Sequence, residues 1–144
     1  MTKLLQFFTP KTSSSTGAIF IDIGISAGFP SPADDFTETR ISLDEELITN
    51  KEATFFAKVN GQSMIGAGLD DKDLLVIDRS LKPKNFSTVV ANVHDELVVK
   101  SFVKSKDGQF LTSGSKNIED KIMVGDESEV FIWGVVTYVI HSTY

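Results

Sequence analysis

The sequence predicts a mostly β protein whose body is a curled sheet or partly closed β-barrel. Short runs dominated by Val, Ile and Phe recur after residue 50, and Gly, Asp and Asn punctuate them. Helical periodicity is convincing in only one segment. The chain has 144 residues and no cysteine, so it is long enough for one domain with a single core and contains no disulfide.

The N-terminal part of the chain is predicted to form an arm. Thr12–Thr16 is a polar run typical of a flexible linker, and the two prolines within Phe29–Pro32 exclude both a helix and a central strand there. Between them, Ile19–Ile25 is apolar enough to pack against another surface. We therefore divide the chain into a cleavable arm, residues 1–35, and a β domain, residues 36–144.

The β domain is predicted to begin with a helix over Ser42–Asn50. Ser42 and Glu45 have the spacing of a capping box. Three apolar residues then share one helix face: Leu43, Leu47 and Ile48. The strands that follow are predicted at Thr54–Val59, Asp73–Asp78, Thr88–Val93, Glu96–Val103, Gln109–Thr112 and Val130–Ile140.

Charge and hydropathy restrict the kinds of partner. The net charge is −6, of which residues 1–27 contribute +1 and residues 28–144 contribute −7. Such a surface repels the phosphate backbone, so protein partners are expected and direct DNA binding is not. The longest apolar run, Val130–Ile140, is about half the ~20 residues of a membrane helix. No membrane association is expected, and the absence of cysteine fits a cytoplasmic location.

A serine stands in a turn directly after the first predicted strand. Asn60–Met64 contains Ser63, and Gly66 and Gly68 follow closely, so the backbone there can bend sharply and present the hydroxyl. Backbone N–H groups in such a turn, including that of Met64, can point at a developing oxyanion. Taken alone, this pattern is more often a turn-forming serine than a nucleophile.

A lysine stands inside an apolar strand. Lys100 follows Leu97, Val98 and Val99 and precedes Phe102 and Val103. Burial there would remove water from the ammonium and favour the neutral amine. A neutral amine beside a serine hydroxyl can accept its proton, as in Ser–Lys nucleophilic catalysis. The alternative is an edge-strand lysine that discourages aggregation between sheets.

Four segments occur in the order in which one peptidase family carries its motifs: Ala27–Ala33, Gly61–Met64, Gly68–Asp78 and Glu96–Lys100. They resemble the scissile segment, the Gly-Asp-Ser-Met nucleophile motif, the Gly-Asp-Leu strand and the lysine-bearing strand of the LexA/UmuD self-cleaving serine peptidases, in the UmuD branch. The separation of 37 residues between Ser63 and Lys100 is also that of the family.

Three positions depart from the family pattern. Gln62 stands where the family usually has an acidic residue, and Ala27 stands where UmuD has cysteine. Alanine–glycine is the bond cut in the repressor branch, so the second departure is compatible with cleavage. The turn Val93–Glu96 lacks the glycine expected of a tight two-residue hairpin, which leaves its geometry open.

The resemblance implies a fold, a reaction and partners. It implies the fold of the LexA/UmuD C-terminal domain, with Ser63 attacking the carbonyl of Ala27, Lys100 acting as general base, and Gly28 becoming a new N-terminus. It implies no cofactor and no metal. It further implies a homodimer, cleavage induced by a RecA–single-stranded DNA filament, and a role with a UmuC-like Y-family polymerase in translesion DNA synthesis during SOS mutagenesis.

Two other functions are compatible with parts of the pattern. A truncated LexA-type repressor is disfavoured, because a DNA-binding domain of ~60 residues is expected before the cleavage site and 27 residues precede it. A non-catalytic dimeric binding module would differ by yielding no new N-terminus at Gly28. The histidines, His94 and His141, lack metal-ligand spacing and are expected at the surface or in turns, and Asp70 and Asp71 are expected to be solvated.

Overall fold

The structure, a computed structural model, describes residues 5–10, 18–20, 39–60, 68–113, 121–125 and 129–144. They fall into two compact units. One contains the described residues of 1–10 and 50–144, and the other contains those of 11–49. Among the described residues, no helix has both the length and the apolar character needed to cross a membrane.

The prediction of a mostly β protein with a curled sheet is confirmed. The larger unit contains an eight-stranded antiparallel sheet in the order β1-β4-β5-β10-β6-β7-β8-β9, curled into a half-barrel. Strands β2 and β3 pair separately in the smaller unit. The strands are β1 Leu5–Phe8, β2 Ala18–Phe20, β3 Thr39–Ile41, β4 Thr54–Val59, β5 Leu74–Asp78, β6 Thr88–Val93, β7 Glu96–Ser105, β8 Gly108–Thr112, β9 Ile122–Met123 and β10 Val130–Ile140.

The core lies on both faces of the sheet. In β6, Val89 and Ala91 belong to one apolar cluster and Val90 belongs to another, and all three are fully buried. Because successive side chains point to opposite faces of a strand, β6 is covered on both sides. The cluster around Val90 also contains Leu5, Ala57, Val59, Leu69, Leu75, Ile77 and Val99, and the other contains Phe102, Leu111, Val130 and Val135.

β1 is part of this sheet although it lies within the predicted arm. It pairs with β4 along four residues, and Leu5 is buried in the core. No strand is predicted there, because a segment of four residues carries too little pattern. β2 includes the first two residues of the predicted apolar segment Ile19–Ile25, and it pairs with β3. The boundary at residue 35 stays a prediction, since residues 21–38 lie outside the described ranges.

The predicted helix is shorter than expected. Helix α1 covers Leu43–Leu47, and the backbone of Ile48 is already extended. The predicted capping box is wrong, because the side chain of Ser42 makes no capping hydrogen bond. Leu43 is exposed, so the helix buries little apolar surface, and the β-branched Ile48 and Thr49 disfavour a further turn. A one-turn 3-10 helix, Lys51–Ala53, leads into β4.

The β6–β7 hairpin is tight despite its lack of glycine. Val93 pairs with Glu96, which leaves a two-residue turn in which His94 and Asp95 both have positive φ, at 50° and 65°. This is the backbone of a type I′ turn. The side-chain oxygen of Asn92 accepts a hydrogen bond of 3.1 Å from the backbone N–H of Asp95. That bond stabilises a conformation which otherwise favours glycine.

β10 holds the two halves of the sheet together. It pairs with β5 on one side and β6 on the other, with a register shift between Ile132 and Gly134 and another between Val136 and Tyr138. A Cβ at Gly134 would lie 2.6 Å from Cγ2 of Ile77. Glycine is therefore required at this position by the close approach of β10 to β5.

Trp133, at the first of these register shifts, contacts side chains from β1, from β4 and from the residue after β5. Its ring packs against Phe7 of β1 and Phe55 of β4, with centroids 5.0 and 5.2 Å away. The guanidinium of Arg79, just after β5, lies 4.4 Å above the ring, and its Nε donates a 3.0 Å hydrogen bond to the Trp133 carbonyl. The cation–π contact and the hydrogen bond together hold β10 against the end of β5.

We expect Gly134→Ala to lower the free energy of unfolding by about 1–3 kcal/mol, because the added methyl group must displace Ile77. Gly125→Ala is the matched control, since a Cβ at Gly125 meets nothing within 4 Å. Urea unfolding followed by circular dichroism measures both. Equal stability of the two variants would show that β10 can move away from β5 without loss.

Candidate active site

Lys100 lies on an inner strand. β7 is flanked by β6 and β8, and Lys100 stands opposite Val89 in the register. Directly opposed residues share a face of the sheet, as do residues two apart on one strand, so Lys100 shares its face with Val89 and Phe102. Both of these are buried, while Lys100 itself is half-buried. The alternative of an edge-strand lysine is therefore wrong.

The amine of Lys100 meets a hydroxyl that the sequence did not single out. Its Nζ donates a hydrogen bond of 3.2 Å to Oγ of Ser113, the residue directly after β8. The pairing of Ser101 with Thr112 is what brings Ser113 alongside Lys100. Within the described part of the chain, no carboxylate forms an ion pair with this amine. The neighbour of the candidate base is thus a neutral group that can orient it.

The other predicted site residues lie outside the described residues: Ser63, Met64, Ala27 and Gly28. The base of the loop that contains Ser63 is nevertheless defined. The backbone N–H of Val59 donates to the Asp73 carbonyl at 2.9 Å, and that of Lys72 donates to the Val59 carbonyl at 2.7 Å. These bonds fix where the chain leaves β4 and where it returns to β5.

A histidine–carboxylate cluster stabilises the position where the Ser63 loop joins the sheet. Asp73 is buried, and one of its oxygens accepts a 2.9 Å hydrogen bond from the backbone N–H of Asp70. Its other oxygen lies 2.6 Å from Nδ1 of His141, which directly follows β10. Because an ionised carboxylate only accepts, Nδ1 must carry the proton in this contact. The second carboxylate, that of Asp70, lies 3.4 Å from the same nitrogen.

The contact shifts both pKa values. Burial raises the pKa of Asp73, but the hydrogen bonds from the Asp70 backbone and from His141, with the charge of His141, outweigh it and leave the pKa below its ordinary value. The hydrogen bond to Asp73 and the charge of Asp73 raise the pKa of His141. Burial lowers this pKa and the charge of Asp70 raises it, and the net shift is upward. The pair therefore favours an ionised aspartate and a protonated histidine.

Asp70, Asp73 and His141 are also the described residues best placed to hold a metal ion, with one ligand atom from each within 4.8 Å of the others. The 2.6 Å separation of Nδ1 and Oδ1 is a hydrogen-bond distance, so an ion pair accounts for the arrangement. No sequence pattern indicates this cluster, because 68 residues separate Asp73 from His141. His94, in contrast, lies in a turn, as predicted.

Comparison with known proteins identifies the family. Residues 19–137 match the model described as Peptidase S24-like. The chain belongs to this family. The matched stretch contains Ser63, Lys100 and the Ala27–Gly28 bond. Assignment to a family of serine peptidases is thus confirmed, while the Ser–Lys dyad and the cleavage site stay predictions.

Individual relatives agree with the UmuD-like resemblance. The chain is 38% identical over 117 residues to Protein ImpA of Salmonella typhimurium, covering 81% of this chain and 79% of that protein. It is 39% identical over 114 residues to Protein MucA of Escherichia coli, covering 79% and 77%. It is also 30% identical over 146 aligned positions to the LexA repressor of Geotalea uraniireducens, covering 94% and 72%. The chain is therefore a UmuD-like S24 protein.

The His141–Asp73 pair predicts how stability depends on pH. The folded-state pKa of His141 lies above the ordinary value of ~6.5, so its contribution is complete below about pH 6.5 and is lost as pH rises through the folded-state pKa. The folded-state pKa of Asp73 lies below its ordinary value of ~3.9, so its contribution is present above that value and lost as pH falls through the folded-state pKa.

We expect His141→Asn to remove the decrease in unfolding free energy that wild type shows above about pH 6.5. His94→Asn is the control, because asparagine tolerates the positive φ of that turn position. Urea unfolding between about pH 4 and about pH 9 measures the effect. A pH profile of His141→Asn that parallels wild type would contradict the role of this ion pair.

Proposed function

We propose that this chain is a self-cleaving serine peptidase that cuts its own Ala27–Gly28 bond with Ser63 and Lys100. The observation that supports it most is the position of Lys100, a half-buried amine on an inner apolar strand with a hydroxyl as its partner. Membership of the S24 family supplies the serine peptidase class. The Ser63 loop leaves and re-enters the same sheet through β4 and β5.

The first half of the reaction forms an acyl-enzyme. Neutral Lys100 takes the hydroxyl proton of Ser63 as the Ser63 oxygen attacks the carbonyl carbon of Ala27. Backbone N–H groups of the serine turn, including that of Met64, stabilise the resulting oxyanion. The Lys100 ammonium then donates its proton to the nitrogen of Gly28, the Ala27–Gly28 bond breaks, and Ala27 remains esterified to Ser63.

The second half releases the enzyme. Neutral Lys100 takes a proton from water, whose oxygen attacks the ester and displaces the Ser63 oxygen. Lys100 then returns the proton to that oxygen. The products are residues 1–27 and residues 28–144. Ser113 positions the amine throughout, because its oxygen accepts one Lys100 N–H and thereby restricts the direction of the nitrogen.

The cleaved protein acts, in this proposal, in SOS mutagenesis. A RecA–single-stranded DNA filament favours docking of the part of the arm, residues 1–35, that contains Ala27 and Gly28 against Ser63 and Lys100 of the β domain, residues 36–144. The homodimer of the processed form then serves a UmuC-like Y-family polymerase in translesion synthesis in the cytoplasm. The support is the UmuD-like resemblance of the four motifs and the similarity to ImpA and MucA. The negative net charge favours protein partners over direct contact with DNA.

Incubation of the purified protein tests the reaction. We expect a 117-residue fragment with Gly28 at its N-terminus, formed faster as pH is raised from about 6 to about 11, because only the neutral amine accepts a proton. Ser63→Ala should abolish the fragment. Lys100→Arg should abolish it at every pH, since guanidinium keeps its proton in this range.

Lys104→Arg is the control for the lysine, because Lys104 lies on the same strand but is exposed. It should cleave as wild type does. N-terminal sequencing and mass spectrometry identify the product, and circular dichroism verifies that each variant folds. A well-folded Ser63→Ala or Lys100→Arg protein that still releases Gly28 would overturn the mechanism. The absence of cleavage in wild type at all pH values would instead favour a binding module.

Ser113→Ala should slow cleavage by about 10- to 100-fold without preventing it, because a mispositioned amine still reaches the serine in a fraction of conformations. Ser113→Thr should restore most of the rate by returning the hydroxyl. Cleavage rates and thermal unfolding of the two variants are compared side by side. Equal cleavage by Ser113→Ala and wild type, or failure of Ser113→Thr to exceed Ser113→Ala when both are folded, would show that the hydroxyl does not orient Lys100.

A further inference from the structure

The two strands that precede the proposed cut pair with strands that follow it. β1, at residues 5–8, pairs with β4 in four residue pairs, from Leu5 opposite Val59 to Phe8 opposite Phe56. β2, at residues 18–20, pairs with β3 in three more. A cut after residue 27 therefore breaks the covalent chain between strands that remain joined by two separate hydrogen-bonded ladders.

β1 contributes side chains to the core as well as hydrogen bonds. Leu5 is 5% exposed and belongs to the same cluster as Ala57 and Val59 of β4. Phe7, also packed against this cluster, meets the ring of Trp133 edge-on at 5.0 Å. Gln6, between them, is exposed. The alternation shows that β1, an edge strand of the sheet, buries one apolar face in the core of the larger unit.

The edge of β4 is unprotected without β1. β4 has β5 on its other side, so loss of β1 would leave unpaired backbone groups along β4 and would uncover Ala57 and Val59, which are fully buried in the intact sheet. Exposed strand edges of this kind bind extended segments with apolar residues at alternate positions. Leu5 and Phe7 provide that alternation within this chain.

Resting on the proposed function, we propose that the 1–27 product stays bound after cleavage, with β1 on the edge of β4 and β2 on β3. The β4 edge is thus a strand-binding surface whose occupant is residues 5–8 of the same chain. Two attachment points on one short fragment strengthen its retention, because release of one ladder leaves the other to hold it nearby. The charges of the two pieces, +1 and −7, also attract each other.

One consequence is that cutting and removal of the arm are separate events. The chemical step severs the bond after residue 27, but the β4 edge becomes available only when an extended segment of another chain displaces β1. The displacing segment should present apolar side chains at alternate positions to replace Leu5 and Phe7.

The test uses a full-length chain that cannot cut itself. A recognition sequence for a site-specific protease is inserted between Ala27 and Gly28 in the Ser63→Ala background, and the purified protein is cut with that protease. We expect both fragments to co-elute from a size-exclusion column at micromolar concentration and to appear as a 1:1 complex in native mass spectrometry. Elution of the 1–27 fragment by itself would overturn the proposal.

A matched pair of variants shows whether β1 holds the fragment. In the cut protein, Leu5→Asp should weaken retention by at least about ten-fold, because it places a carboxylate in an apolar site. Gln6→Asp introduces the same charge on the exposed side of the strand and should leave retention unchanged. Equal retention of both variants, or equal loss of both, would contradict docking through the core-facing side of β1.

Amide hydrogen exchange gives a result that does not depend on any variant at residue 5. The amides of β4 should stay as protected after the cut as before it, whereas departure of β1 would make those on the free edge exchange faster. Because an added protease makes the cut at the inserted recognition sequence, this outcome is independent of self-cleavage. Failure of the wild-type chain to release Gly28 would count against the proposed function alone.

Discussion

The candidate site depends on one constraint at Lys100. The inner strand fixes its backbone among apolar neighbours, while its amine needs a polar partner. The backbone of Lys100 is fixed by β6 on one side and β8 on the other, so the residue cannot turn its side chain away from the sheet face that its register assigns. That face carries Val89 and Phe102, which offer the amine no polar partner. The amine instead reaches Ser113, just past the end of β8, and its direction is set by that contact.

The strand order determines how Lys100 and the loop that contains Ser63, two parts of the proposed site, are connected through the sheet. The loop containing Ser63 joins β4 to β5, and Lys100 lies on β7. Among the described strands, β10 lies between the β4–β5 pair and the β6–β7 pair. The packing of β10 therefore controls their separation: Gly134 permits close approach to β5, and Arg79 holds the carbonyl of Trp133. At the far end, His141 reaches Asp73 at the base of the serine loop.

Most strands of the sheet were predictable because their signals are local. Val, Ile and Phe mark β4, β6 and β10 with the bounds that the structure has, since each of these strands buries apolar side chains in the core. The helix was overestimated because its apolar residues bury little surface: none is fully buried, and Leu43 stays exposed. The strands β1, β2, β3 and β9 were missed because two to four residues carry too little pattern.

The candidate site divides in the same way. Lys100 could be singled out because a charge inside an apolar strand is a local contradiction that the sequence displays. Ser113 and His141 could not, because each gains its partner only through sheet register, across 13 and 68 residues. Short polar residues after a strand are common in turns and carry no signal of their own. Lys100 is thus predictable from its sequence neighbours, whereas Ser113 and His141 become recognisable only once the sheet register is known.

The same topology gives the N-terminal segment two roles that conflict. In the first role, β1 pairs with the edge of β4 and buries Leu5. In the second role, as part of a cleavable arm, the segment would have to bring residues 27 and 28 to the serine loop, which begins at the end of β4. Both can hold at once, because 19 residues, 9–27, separate the end of β1 from the proposed cut (27 − 8 = 19), and a chain of that length spans at most about 65 Å when extended. Anchoring at β1 thus limits how far the proposed cleavage site can lie from the edge of β4. In the proposed reaction, limiting that distance raises the effective concentration of the Ala27–Gly28 bond near Ser63. A strand that delays departure of the product would then also favour the cleavage that creates it.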